Sequence, residues 1–127
     1  MLHHLSLGTA DLKRSTDFYD ATLAELGYTR VWTADAAVGY GPPGDDDKLA
    51  IKLRSAPAVA PGPGFHIAFA APDRDSVSRF HQAALRSGGR DNGPPGLRPQ
   101  YGDDYYAAFV LDPDGYAIEA VCTAGIP

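Results

Sequence analysis

His4-Leu5-Ser6-Leu7 and His66-Ile67-Ala68-Phe69 decide the fold, because one pattern recurs in them without a gap at a shift of 62 residues. The match continues outward. Asp11 falls on Asp73, Phe18 on Phe80, Ala21 on Ala83, Leu23 on Leu85 and Gly27 on Gly89. Each copy opens with alternating apolar and small residues, the period of a strand with one buried face. An Asp follows where its carboxylate can cap free helix N–H groups. Leu12, Ser15, Tyr19, Leu23 and Leu26 recur at helical spacing, as do Val77, Phe80, Ala84 and Leu85. Gly27 and Gly88-Gly89 then offer left-handed helix ends.

The module ends repeat as well. At a shift of 67, Asp45 falls on Asp112, Ala50 on Ala117, Ile51 on Ile118 and Lys52 on Glu119. The turn Asp112-Pro113-Asp114-Gly115 introduces a closing strand, Tyr116 to Thr123, whose counterpart is Lys48 to Arg54. Between helix and closing strand, Thr29 to Thr33, Ala36 to Tyr40 and Tyr105 to Leu111 read as strands. Asp91 to Asp104 carries three prolines and three glycines, and reads as loop with a short strand near Arg90. The expectation is an α+β fold. Two tandem βαβββ modules form a cupped mixed sheet with pseudo-twofold symmetry. Residues 1–127 make one domain, with module one over 1–55, a Pro/Ala/Gly linker over 56–63 and module two over 64–127. Half the chain alone would have only a marginal core.

Composition narrows the function. The net charge is −5, with no basic stripe to displace counterions from a nucleic acid. No apolar run approaches the roughly 18 residues that a membrane helix needs, and the first residues lack the pattern of a signal peptide. The one cysteine, Cys122, sits in a strand-like run and reads as a small buried hydrophobe. A reducing cytoplasm is the expected compartment.

The repeat also carries chemistry. His4 with His66, and Lys52 with Glu119, are equivalent pairs on strands that a pseudo-twofold axis would turn towards one cavity. Two imidazoles and a carboxylate make a facial set for a divalent metal, and Fe, Mn, Ni and Zn all suit those ligands. The alternative is a metal-free cavity closed by a Lys52–Glu119 ion pair. An ionised Glu119 between Ile118 and Ala120 needs one partner or the other. Tyr105 and Tyr106 point to opposite sheet faces, so at most one lines the cup. His3 and His81 read as ligands less readily than His4.

His4-Leu5-Ser6-Leu7 with Asp11-Leu12-Lys13-Arg14-Ser15 and Phe18-Tyr19, then Phe65-His66-Ile67-Ala68-Phe69, then Asp112-Pro113-Asp114-Gly115 followed by Ile118-Glu119, cover nearly the whole chain. In these the chain resembles the vicinal oxygen chelate superfamily, which includes glyoxalase I, extradiol ring-cleaving dioxygenases, and the fosfomycin and bleomycin resistance proteins. The resemblance implies His4, His66 and Glu119 as metal ligands, and a metal-dependent lyase or dioxygenase acting on a small oxygenated metabolite. A bleomycin-resistance type of metal-free binding protein is the other implied activity. Glu119 and Tyr105 are then the catalytic candidates, and Lys52, Arg98 and Tyr106 the substrate contacts. Relatives pair modules between chains, so a homodimer is expected. Two departures stand out. Lys52 occupies the slot where a glyoxalase I carries a fourth ligand, a Glu. Pro99-Gln100-Tyr101-Gly102 lacks the extra His of the glyoxalase-like subgroup.

Overall fold

The two Asp residues expected to start helices do so. Asp11 accepts from the Arg14 amide at 3.0 Å. Asp73 accepts from the Ser76 amide at 2.7 Å while Ser76 returns a bond to the Asp73 amide, a reciprocal capping box. From these caps run α1 (Leu12–Ala24) and α2 (Arg74–Arg86). Their first and last residues are related by the shift of 62 read from the sequence. Gly27 and Gly88, at φ +88° and +93°, take the left-handed conformation that ends each helix. The structure, a computed structural model, describes residues 1–125. Ile126 and Pro127, the end of module two as read from sequence, lie outside the described residues.

The first module continues β1 (Leu5–Thr9), α1, β2 (Thr29–Ala34), β3 (Ala37–Gly41) and β4 (Leu49–Leu53). The second continues β5 (Ile67–Ala70), α2, β6 (Arg90–Leu97), β7 (Tyr106–Leu111) and β8 (Ala117–Cys122). Two four-stranded mixed sheets result, ordered β1-β4-β3-β2 and β5-β8-β7-β6. In each, the first strand pairs in parallel with the closing strand and the rest are antiparallel. The chain therefore has the expected α+β fold of two βαβββ modules.

One expectation fails at β6, where a mostly loop segment was read. The chain pairs with β7 from Arg90 to Leu97, with register shifts at Asp91/Gly93 and Gly93/Gly96. Pro94 and Pro95 have no N–H to donate. β6 is an edge strand, where a missing donor costs little, and the shifts absorb the rest.

One face of each sheet packs against the helices. Leu7, Val38, Tyr40, Leu49, Ile51, Ile67, Val110, Ile118 and Ala120 turn to the helices and join Phe18, Tyr19, Leu23, Val77 and Phe80 in one core spanning both modules. The modules are further clasped by the Asp112–Gly115 turn. Tyr19 donates to Asp112 Oδ2 at 2.6 Å, Ser15 and Arg14 hold Asp114, and Tyr116 donates to the Gly8 carbonyl at 3.0 Å.

Burial raises the Asp112 carboxyl above its ordinary value, although Tyr19 and the amides of Tyr116 and Asp114 pull the other way. A carboxyl raised on folding contributes stability that is complete below its unfolded pKa and declines as pH rises through the folded value. Asp112→Asn, whose Oδ1 can still accept from both amides, should therefore flatten the fall in stability as pH rises through the raised Asp112 value. Urea midpoints of both proteins against pH check this, and parallel curves would contradict it.

Candidate functional site

The residues of β8 that face away from the helices are Ala117, Glu119 and Val121, because their neighbours Ile118, Ala120 and Cys122 are core. Glu119 is only 1% exposed even so. Its cross-strand neighbours on that face are Ala68 and Phe109. His66, one residue before β5, brings Nε2 to 2.9 Å from Glu119 Oε1. Tyr105, just before β7, donates its hydroxyl to Glu119 Oε2 at 2.5 Å. Oε2 is thus hydrogen-bonded, and Oε1 lies within ion-pair range of His66. Burial first, and then the bond to Glu119, push the Tyr105 hydroxyl up to about 12, so it holds its proton. Tyr106, named with Tyr105 as a candidate, turns the other way: its ring lies under the Arg74 guanidinium and its hydroxyl is 3.4 Å from Ser78 of α2.

His66 and Glu119 are therefore brought together, and His4 is not with them. His4 Nδ1 lies 2.8 Å from His3 Nδ1, and His3 Nε2 bonds Asp46 at 3.0 Å. Among the described residues one group of three could hold a metal, His3, His4 and Asp47, with ligand atoms within 4.8 Å of one another. His3, the weaker ligand candidate by sequence, is thus the neighbour of His4 in space.

The ladders correct the pairing of Lys52 with Glu119. Leu5 pairs with Leu49 and Ile67 with Ile118, so the closing strands correspond at a shift of 69, not 67. Glu119 then matches Ala50, and Lys52 matches Val121, one rung further along the same face. Ala50 is 1% exposed, and its cross-strand neighbour Gly39 lies beneath the Trp32 indole, whose Nε1 would be 2.2 Å from a Cβ placed there. Nor is Lys52 the partner of Glu119, whose bonds go to His66 and Tyr105. Within one chain, among the described residues, no Lys52–Glu119 ion pair is made.

Sequence reasoning passed over Phe109. Its ring lies 6.2 Å from that of His66, and the Arg98 guanidinium stands 5.4 Å from its centroid on the same face. Period-two counting from Tyr105 along β7 would have placed it there.

A divalent metal fits these donors in part. The 2.9 Å between His66 Nε2 and Glu119 Oε1 is close to the separation of two ligands each about 2.0–2.2 Å from one ion. A buried carboxylate beside an exposed imidazole is a donor pair of the right chemistry. The third donor of the expected set is in the His3 cluster instead.

The paired βαβββ sheets, with a carboxylate on the last strand facing a histidine at the start of the module, define a protein of the glyoxalase-like class. The Glyoxalase/Bleomycin resistance protein/Dioxygenase superfamily matches residues 1–120, and the chain belongs to that superfamily. It is similar to a glyoxalase/bleomycin resistance protein from Albidiferax ferrireducens T118, at 33% identity and a TM-score of 0.81 over 96% of this chain and 98% of that one. A glyoxalase-related enzyme from Fulvimarina pelagi shares the fold at 23% identity and a TM-score of 0.73, over 96% of this chain and 87% of that one. So does a glyoxalase/bleomycin resistance protein/dioxygenase family enzyme from Burkholderia phytofirmans PsJN, at 14% and 0.72, over 95% and 97%. No curated protein matches the chain. No helix among the described residues is long and apolar enough to cross a membrane.

Proposed function

We propose that this protein is a divalent-metal-dependent lyase or dioxygenase of the superfamily, acting on a small oxygenated metabolite as a cytoplasmic homodimer. The observation that carries the reading is the Glu119 carboxylate, 1% exposed yet 2.9 Å from an imidazole nitrogen at the open face of the sheet. His66 and Glu119 would hold the ion on one copy, and His4, released from its contact with His3, would complete the set on a second. Strands β1, β2, β5 and β6 leave unpaired sheet edges that favour a second copy. When bound, an Fe, Mn, Ni or Zn ion supplies a Lewis acid for two adjacent substrate oxygens. Tyr105 holds a proton at its hydroxyl oxygen beside Glu119 and can present it to a substrate oxygen. Lys52, whose counterpart in the second sheet is Val121, would touch substrate from the first sheet.

Stripping the untagged protein with a chelator, reloading it with each of the four metals and measuring bound metal tests the reading. One tightly held equivalent per chain is expected, and no uptake of any of them at micromolar concentration would contradict it. A second reading, a metal-free binding protein, draws on the fact that both Glu119 oxygens already have partners. It requires ligand binding to survive the chelator unchanged.

A further inference from the structure

We propose that Arg98 is the anchor for an oxyanion, a carboxylate or phosphoryl group, carried by the ligand of the site built on His66 and Glu119. This deepens the function proposed above and rests on it for the identity of the site. Phe109 is the common floor. It is the cross-strand partner of Glu119, its ring edges that of His66 at 6.2 Å, and the Arg98 guanidinium stands 5.4 Å from its centroid. Arg98, His66 and Glu119 thus surround one aromatic ring on the helix-free face of the second sheet.

The guanidinium is held in place by the irregular part of β6. Its Nη1 donates to the Gly96 carbonyl at 2.9 Å and its Nη2 to the Pro94 carbonyl at 2.7 Å. Side chains at the two glycines would crowd it: a Cβ on Gly93 would meet Nη2 at 3.4 Å, and one on Gly96 would meet Nη1 at 3.2 Å. Gly93 also sits at φ +147°, which disfavours any other residue. Pro94 and Pro95 leave their stretch without N–H donors of its own. Gly-Pro-Pro-Gly, which reads as a loop in the sequence, is the seat of a fixed guanidinium.

Two of its N–H groups are used within the chain and about three remain. Arg98 enters none of the ion pairs among the described residues. A planar guanidinium stacked on an aromatic ring, with donors to spare, suits two-point recognition of an oxyanion, and a lysine cannot reproduce that geometry. Glu119 repels the same charge, so the pair gives a ligand its direction: anionic end over Phe109 towards Arg98, uncharged oxygens towards His66 and Glu119. A neutral ligand of the same shape would leave the guanidinium unanswered.

The test titrates benzoate, phenylphosphonate and neutral benzyl alcohol, following by NMR the backbone amide resonances of β6 and β7, which every variant retains. It is run first in chelator-treated protein and then with metal. Either anion should bind about 10- to 100-fold tighter than the alcohol, the range for hydrogen bonds to charged groups. Whichever of the two binds tighter identifies the group as carboxylate or phosphoryl. Arg98→Gln should erase the preference, Arg98→Lys should lose most of it, and Phe109→Leu should weaken it with the charge still present. Equal binding of anions and alcohol, or a preference that survives in Arg98→Gln, would overturn the proposal. Anion preference without any metal uptake would sink the metal reading and leave Arg98 standing; metal uptake without anion preference would do the reverse.

Discussion

Glu119→Gln is expected to lower affinity for divalent metal by at least about 100-fold, since losing even an outer partner of a ligand costs about 10- to 100-fold. The substitution is close to isosteric. Its amide oxygen can still accept from Tyr105 or His66, so the packing around a side chain 1% exposed should survive. What is lost is the negative charge, the property a metal requires and a neutral hydrogen-bond network does not. Metal binding by calorimetry, alongside the thermal midpoint, separates the two effects. A variant that melts like the wild type and still takes up metal equally well would remove Glu119 from the ligand set.

Phe18→Ala should lower stability by about 3–5 kcal/mol, the usual cost of emptying a buried aromatic site. That is a large share of the about 5–15 kcal/mol that holds a domain together. Phe18 is 0% exposed, stacks edge-on with Tyr19 and reaches across from α1 to the second module. There Gly89 leaves room for it: a Cβ at that position would lie 2.6 Å from Phe18 Cε1, 2.9 Å from the Ala84 carbonyl and 3.0 Å from that of Leu111. Two of those three atoms are backbone and cannot swing aside, so Gly89→Ala should also destabilise. Chemical denaturation measures both. A loss below about 1 kcal/mol for Phe18→Ala would mean that the modules do not depend on one another through this contact.

Much of the fold is legible because the two halves repeat the same physics. Caps at Asp11 and Asp73, apolar residues at helical spacing and positive-φ glycines after each helix are local signals, and each works over a few residues. β6 was not legible, since its prolines are forbidden in a central strand and harmless at an edge, and only the strand order reveals the edge. The Lys52 pairing failed for a related reason. A repeat read by residue identity allowed a shift of 67, whereas hydrogen-bond register sets 69 and moves Lys52 a full rung from the level of Glu119. For the site, alternation put Tyr105 and Tyr106 on opposite faces and left open which of them shares the face of Glu119. His3 beside His4, the stacking of Arg98 on Phe109 and the clasp of Tyr19 on Asp112 are tertiary contacts with no sequence period to announce them.

The central claim is that His66 and Glu119 of one copy share a metal with His4 of another. Mixing the His4→Ala and His66→Ala proteins, each unable to assemble a full set alone, tests it most directly. In a dimer holding one chain of each, one site regains both histidines and Glu119 while the other loses both histidines. After denaturation and refolding together, metal bound per chain should rise from near nothing to about a quarter of the wild-type value, the share expected from random pairing in a twofold dimer. Metal content that stays at the level of the separate variants would contradict the shared site.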